Sequence, residues 1–171
     1  MRRLLINRTD IADWKDVSQT INDKVLNQHI YDAQFIDLQK LMGSQFYNDL
    51  ERNYDSTVYQ SLLNEADYTY LSVTYFNAGL KRVLVDFAYA RYILLGSNRD
   101  TPFGLVVKQT NESVQASQED KKTIHKANQH TAFNYWENVV DFINRNTADY
   151  PLWQDAECVV KRGTFRISRI G

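Results

Sequence analysis

The stretch Leu80-Lys81-Arg82-Val83-Leu84-Val85-Asp86-Phe87-Ala88-Tyr89-Ala90-Arg91-Tyr92-Ile93-Leu94-Leu95 decides how the rest of the chain is read. Leu80, Val83, Leu84, Phe87, Ala90, Arg91 and Leu94 recur at helical spacing, and Ala88 and Tyr92 widen the stripe. A helix that is apolar on most sides belongs at the centre of its fold. It closes the most apolar part of the chain, Thr69 to Leu95, and Gly96 and Asn98 end it. Arg91 on the apolar face calls for an acid, Asp86 or Asp37, or for a snorkelling head group. Lys81 and Arg82 read as a solvated patch.

Toward the N-terminus the same 3.6-residue period recurs. Asn22 can cap a helix from Asp23 to Leu41, with Val25, Leu26, Ile30, Ala33, Ile36 and Leu41 on its apolar face and Gly43 just past its end. Ser44 can cap a third helix, Gln45 to about Arg52, carrying Phe46, Tyr47 and Leu50. Ser56 to Leu63 is a short helix or a turn. Before these, Leu4 to Ile6 is a brief apolar run, too short and too soon polar for a signal peptide. Thr9 then caps a short helix from Asp10 to about Trp14.

Toward the C-terminus the character changes. Arg99 to Thr110 holds Thr101-Pro102-Phe103-Gly104, which breaks helix, and then the β-branched-rich Leu105-Val106-Val107, followed by Lys108. This reads as an extended loop or hairpin. Asn111 to Ser117 is a polar connection. Gln118 to Asn144 is a second long helix with Ile124, Ala127, Thr131, Ala132, Tyr135, Val139 and Ile143 on its core face, and Pro151 prevents its continuation. Cys158-Val159-Val160 and Thr164 to Ile170 alternate apolar and polar residues, a strand pattern. The fold class expected is mainly α: a bundle of about four to five helices over residues 1–153, with the mid-chain loop at about 99–110 and a strand-like tail at 154–171.

Composition sets the outer limits. The chain has 171 residues and a net charge of −1. A chain of this length buries roughly 70% of its unfolded surface, so a core forms without disulfides or metals. The one cysteine excludes an intramolecular disulfide and a multi-cysteine zinc site. No apolar run is long enough to span a membrane. The charge is segregated: residues 159–171 carry Lys161, Arg162, Arg166 and Arg169 and no acid, while the rest of the chain sums to −5. Eleven tyrosines and frequent Asn and Gln suit a surface for protein contact.

The residues that could carry chemistry form no constellation. His125 and His130 are five apart, about 500° around a helix, and so on different faces; His29 is remote from both in sequence. Asp10, Asp13 and Asp16 lie near a helix N-terminus, where acids favour the macrodipole. Glu65 and Asp67 fall in a turn, and Glu119 and Asp120 open a helix. Cys158 sits between Glu157 and Val159, which do not lower a thiol pKa. No Gly-x-Ser-x-Gly elbow or Gly-rich phosphate loop occurs. Neither an enzyme nor a bound cofactor or metal is expected. A lone terminal strand, by contrast, must satisfy its backbone on something, and strand addition to a partner sheet does so. Packing on its own domain and contact with nucleic-acid phosphates are the alternatives.

One set of strings resembles a known family. Leu26-Asn27-Gln28-His29-Ile30-Tyr31-Asp32-Ala33-Gln34, then Leu38-Gln39-Lys40-Leu41-Met42-Gly43, then Phe46-Tyr47-Asn48-Asp49-Leu50, is similar to tailed-phage head–tail connector proteins. Phe87-Ala88-Tyr89-Ala90-Arg91, Thr101 to Lys108, Tyr135-Trp136 and Tyr150-Pro151-Leu152-Trp153 resemble the version in Bacteroidetes and crAss-like phages. The resemblance runs over roughly residues 4–153. It implies a virion structural protein of the neck, made in the host cytoplasm and built into the virion between portal and tail. Copies form a ring, usually of twelve, that extends the DNA channel and offers a platform to a further neck or tail protein. Genomic DNA would pass without specific binding. The tail residues Val159, Val160, Lys161, Arg162, Phe165, Arg166, Ile167, Arg169 and Ile170 would dock on the portal protein. Pro102, Phe103, Gly104, Leu105, Val106, Val107 and Lys108 would reach a neighbouring subunit or the channel. The rival reading is a helical DNA-binding or packaging accessory protein that uses the basic tail.

Overall fold

The computed structural model describes residues 3–17, 22–95, 98–101, 104–107 and 117–153. The tail expected at 154–171, with every portal-docking residue named above, lies outside them, as do Pro102, Phe103 and Lys108. The described chain is mainly helical. Its elements are α1 (Arg8–Ala12), α2 (Asp23–Asp32), a π-helical segment (Ala33–Leu38), α3 (Gln39–Met42), α4 (Ser44–Arg52), α5 (Thr57–Leu63), β1 (Ala66–Tyr70), β2 (Val73–Asn77), α6 (Leu80–Leu95), β3 (Asn98–Thr101), β4 (Gly104–Val107) and α7 (Gln118–Arg145).

Helix α6 is central, as its apolar stripe requires. Leu80, Val83, Leu84, Val85, Phe87, Ala88 and Ala90 are all buried. It packs against α7 in the antiparallel sense. Near its start the Ala78 N–H donates to Asn138 Oδ1 at 2.7 Å, and Phe87 meets Phe133 edge-on at 5.4 Å. Near its end His125 Nδ1 lies 3.0 Å from the Ala90 carbonyl. Helix α7 opens with a capping box between Ser117 and Asp120. Its buried residues are Lys121, Ala132, Trp136, Val139, Phe142 and Ile143. Ala132, Val139 and Ile143 were expected on the core face; of the others expected there, Ile124 and Ala127 are exposed and Thr131 and Tyr135 half-buried.

The helix expected from Asp23 to Leu41 forms, but its register breaks. Leu26, Ile30 and Ala33 are buried on an α-helical period, then Gln34, Leu38 and Met42 continue one position late. The π-helical segment supplies that extra residue. Ile36 is 53% exposed and Leu41 half-buried. Val25 is exposed as well. Gln34 occupies the wide turn: it accepts from the Leu5 N–H at 2.9 Å and donates to the Arg3 carbonyl at 2.9 Å and to Tyr47 Oη at 2.6 Å. Those bonds tie the N-terminal segment and α4 to the break. Asp37 is aimed at α6, where Arg91 holds it in a fork through Nε at 2.7 Å and Nη2 at 3.0 Å. Of the two acids offered for Arg91, Asp37 is the partner.

Two caps differ from expectation. The cap of α1 is Asn7, in a capping box with Asp10, so α1 starts earlier than Thr9 and ends at Ala12; Asp13 and Asp16 follow the helix. Ser44 is the first residue of α4, whose N-cap is Gly43 at φ +76°, a conformation only glycine adopts freely. Ser56 caps α5 by accepting from the Tyr59 N–H.

The mid-chain expectation of an extended hairpin is met by β3 and β4, paired antiparallel from Asn98↔Val107 to Thr101↔Gly104. A second hairpin was not expected. Glu65 and Asp67 do not form a turn; Asp67 lies in β1, which pairs with β2 from Ala66↔Asn77 to Tyr70↔Val73. The apolar stretch from Thr69 to Leu95 is therefore half of a hairpin followed by a helix, divided at Ala78-Gly79. Gly79 sits at φ +76°, and a Cβ there would lie 2.6 Å from the Asn64 carbonyl carbon, so only glycine lets the chain turn beside α5.

Candidate functional site

The first place to look for chemistry is the ionic cluster beside α6. Asp86 is fully buried, and Lys15 and Arg82 converge on it, Arg82 Nε at 3.4 Å. The Arg82 guanidinium is stacked between Trp14 (4.1 Å to the ring centre) and Tyr135 (4.8 Å). Lys81 reaches Asp10 at 3.8 Å. Lys81 and Arg82 are thus not a solvated patch; they lock the α1 region onto α6. An adjoining cleft of about 160 Å³ is lined by Asp10, Trp14, Glu65, Lys81 and Arg82 among others. The cluster is a staple of a buried acid with two cations.

The histidines serve the same kind of end. His29 is buried on α2, and burial lowers its pKa from the ordinary value, with Asp32 opposing and Arg91 adding to the effect. His125 faces the Ala90 carbonyl, and His130 Nδ1 lies 3.2 Å from Asn134 Nδ2. Among the described residues no three His, Cys, Asp or Glu side chains are grouped to hold a metal ion. No described helix is long and apolar enough to cross a membrane. Tyr59 and Tyr150 have pKa values pushed up, first by burial; Asp49, which accepts the Tyr59 hydroxyl proton, adds to the first and Asp149 to the second. Both hydroxyls stay protonated and act as donors, Tyr150 to the Val58 carbonyl at 3.0 Å.

The described surface that folding does not explain is the β1–β2 hairpin. Its root is fixed at several points. The Asn77 amide donates to the Ser61 carbonyl at 2.9 Å, and its Oδ1 accepts from the Gly79 N–H at 3.1 Å. Asn138 on α7 donates to the Phe76 carbonyl at 3.0 Å while accepting from Ala78. Tyr68 packs edge-on against Phe142 at 4.8 Å and stacks on its cross-strand partner Tyr75 at 5.7 Å. Arg145 donates to Tyr68 Oη at 2.6 Å and lies 4.0 Å above the Tyr75 ring; the bond to Tyr68 raises the Arg145 pKa. Tyr68 and Tyr75 face the body because side chains alternate along a strand.

Beyond that anchor the hairpin overhangs. Tyr70 and Val73 continue the inward-facing row, and both are exposed. Leu71 and Ser72 form the two-residue turn at φ +50° and +64°. Such turns favour Asn-Gly because both positions are left-handed, and a leucine there costs about 1–2 kcal/mol. Leu71 is nevertheless 80% exposed, and Phe76 on the outer face is also open. An apolar side chain held at a strained position in water stabilises nothing within the monomer.

A second apolar surface comes from the π-helical segment. Tyr31 and Phe35 have ring centres 4.5 Å apart, and Ile36 stands exposed next to them. Lys24, seven residues before Tyr31, and Lys40, four after Ile36, share this stripe. This patch lies toward the far end of α6 from the hairpin: Asn77 precedes the first turn of α6, whereas Arg91 of its penultimate turn grips Asp37.

Of the residues expected to contact a neighbour, Gly104, Leu105, Val106 and Val107 form β4. Leu71 was not singled out from the sequence, and Ile36 was read as part of the apolar core face of its helix. The signal for the first was present in Asp67-Tyr68-Thr69-Tyr70 and Val73-Thr74-Tyr75-Phe76, rich in β-branched and aromatic residues. The intervening Leu71-Ser72 carries no turn signal. A family of unknown function, DUF6712, matches residues 38–163, and the chain belongs to that family. No curated protein and no solved structure matches it.

Proposed function

We propose that this protein is a virion structural component, a head–tail connector whose copies form a ring on the portal protein. The ring extends the DNA channel and offers a platform for the next neck or tail protein. The observation that carries the reading is the anchored hairpin with its apolar, strained tip. It is a built projection whose exposed surface only another protein chain would cover. The helical body, the second hairpin at Asn98–Val107 and the resemblance over residues 4–153 support the same reading. The basic tail from Val159 to Ile170 is assigned to the portal, as an added strand with Phe165 and Ile167 on the buried side.

The test is size-exclusion chromatography with light scattering, with the full chain alone and mixed with the portal protein. Ring formation or capture by the portal is expected. A chain ending at Asp155 should keep its helicity and lose capture, as should Phe165→Asp with Ile167→Asp. Capture unchanged by both removes the docking role of the tail. Strong, salt-sensitive DNA affinity with no portal binding favours the accessory DNA-binding reading.

A further inference from the structure

We infer that the β1–β2 hairpin tip docks on the π-helical patch of a second copy of this chain, with Leu71 seated against Tyr31 and Ile36. The inference rests on the reading that the protein works by assembling with copies of itself, and it names the two surfaces that meet.

Four observations carry it. The tip is apolar and unpaired: Tyr70, Leu71 and Val73 are exposed past the last anchoring contacts at Tyr68 and Tyr75. The patch is apolar and outward: Tyr31 and Ile36 are 39% and 53% exposed. The charges complement each other: residues 65–77 carry Glu65 and Asp67 and no cation, whereas along residues 23–40 Arg8 and Arg91 hold Asp23 and Asp37, which leaves the exposed Lys24 and Lys40, in no ion pair among the described residues, to outweigh Asp32. The placement excludes a contact within one protomer. From Leu80 to Arg91 the axis of α6 advances about 16 Å, and the tip points away from a root fixed at the near end. Two different surfaces that cannot meet in one molecule meet between molecules head to tail. Such contacts are heterologous and close into rings when the rotation permits.

The geometry also gives the contact its register. A rigid root at Asn77, Asn138 and Arg145 fixes the direction of the tip, so little ordering entropy is lost on docking. The aromatic pair Tyr31–Phe35 offers a broad floor, and Ile36 the wall beside it.

The experiment uses the full-length chain without any portal protein. Two variants are made in a Cys158→Ser background, one with Leu71→Cys and one with Ile36→Cys, and are oxidised alone and mixed. They are held at a concentration on the order of 1 mM, where weak contacts are populated. The expected result is a disulfide-linked heterodimer in the mixture and none in either variant alone. Linkage of Leu71→Cys to itself would show a two-fold contact, and monomers throughout would show none; either result overturns the inference. In parallel, Leu71→Asp and Ile36→Asp should each weaken self-association by about thirtyfold or more, as loss of an interface anchor does, with circular dichroism unchanged. A loss confined to Leu71→Asp assigns the tip to some other surface and also overturns it. Because portal capture is read separately, a heterodimer without capture keeps this contact and removes the connector reading.

Discussion

Helix α6 and the β1–β2 hairpin are neighbours in sequence and similar in composition, yet they meet opposite fates. Between Val83 and Ala90 almost every side chain is buried, whereas between Tyr70 and Phe76 most are exposed. Hydrophobicity alone does not separate them. What separates them is coverage: α6 has α2, the π-helical segment and α7 around it, while among the described residues the hairpin is held at its root, by Ser61 of α5 and by the end of α7 at Tyr68 and Tyr75. An apolar residue is a core residue only where another element arrives to meet it.

The contrast can be broken first at α6. Phe87→Ala leaves a cavity in a site that cannot collapse, and should cost about 3–5 kcal/mol by urea unfolding. Leu71→Ala removes a comparable side chain from water and should shift stability by no more than about 0.5 kcal/mol. Equal costs at the two sites would mean that the tip is covered in the monomer. At the divide between the two regions, Gly79→Ala should cost about 2–4 kcal/mol, because it combines left-handed strain with a clash against the backbone of Asn64. A smaller loss would show that α5 yields there.

The strain at the tip can be read in the other direction. Leu71→Gly should raise the unfolding midpoint by the equivalent of about 1 kcal/mol while abolishing association, since glycine enters the left-handed region freely. A variant that is more stable and less able to assemble would separate the two roles. The smallest expected effect lies at His29. Its pKa is below 6.5 in the folded chain, so the unfolded chain binds more protons. The stability tied to His29 is complete above that pH and is lost as the pH falls through the folded value. Urea midpoints measured across this range should fall less for His29→Gln than for the parent protein.

Much of the helical plan was legible because its signals are local. Asn22 and the stripe in α6 gave their elements from caps and spacing. The pairing of Arg91 with Asp37 was narrowed to two acids by the cost of burying a lone cation. What was hidden depends on partners distant in sequence. The π-helical segment is not visible in a 3.6-residue count, because a single extra position rephases everything after it; Leu38 and Met42, both buried, were therefore left off the expected core face. The hairpin was hidden by its turn, Leu71-Ser72, which lacks the residues that such turns favour. Lys81 and Arg82 looked solvated because Trp14 and Tyr135, which enclose Arg82, lie in other parts of the chain. Both proposed contact surfaces fall where local rules failed, at a turn made of the wrong residues and a helix with one residue too many. Such departures are expected where a chain serves contacts outside itself.

The antiparallel pair of α6 and α7 places the two hairpins apart: β1–β2 leads into the start of α6 and β3–β4 follows its end. At 28 residues, α7 is a strut about 42 Å long. Through Asn138 and Arg145 the first hairpin is riveted to one end of that strut. The root of the hairpin and that end of α7 are therefore one unit, and a load on either passes to the other through these two side chains.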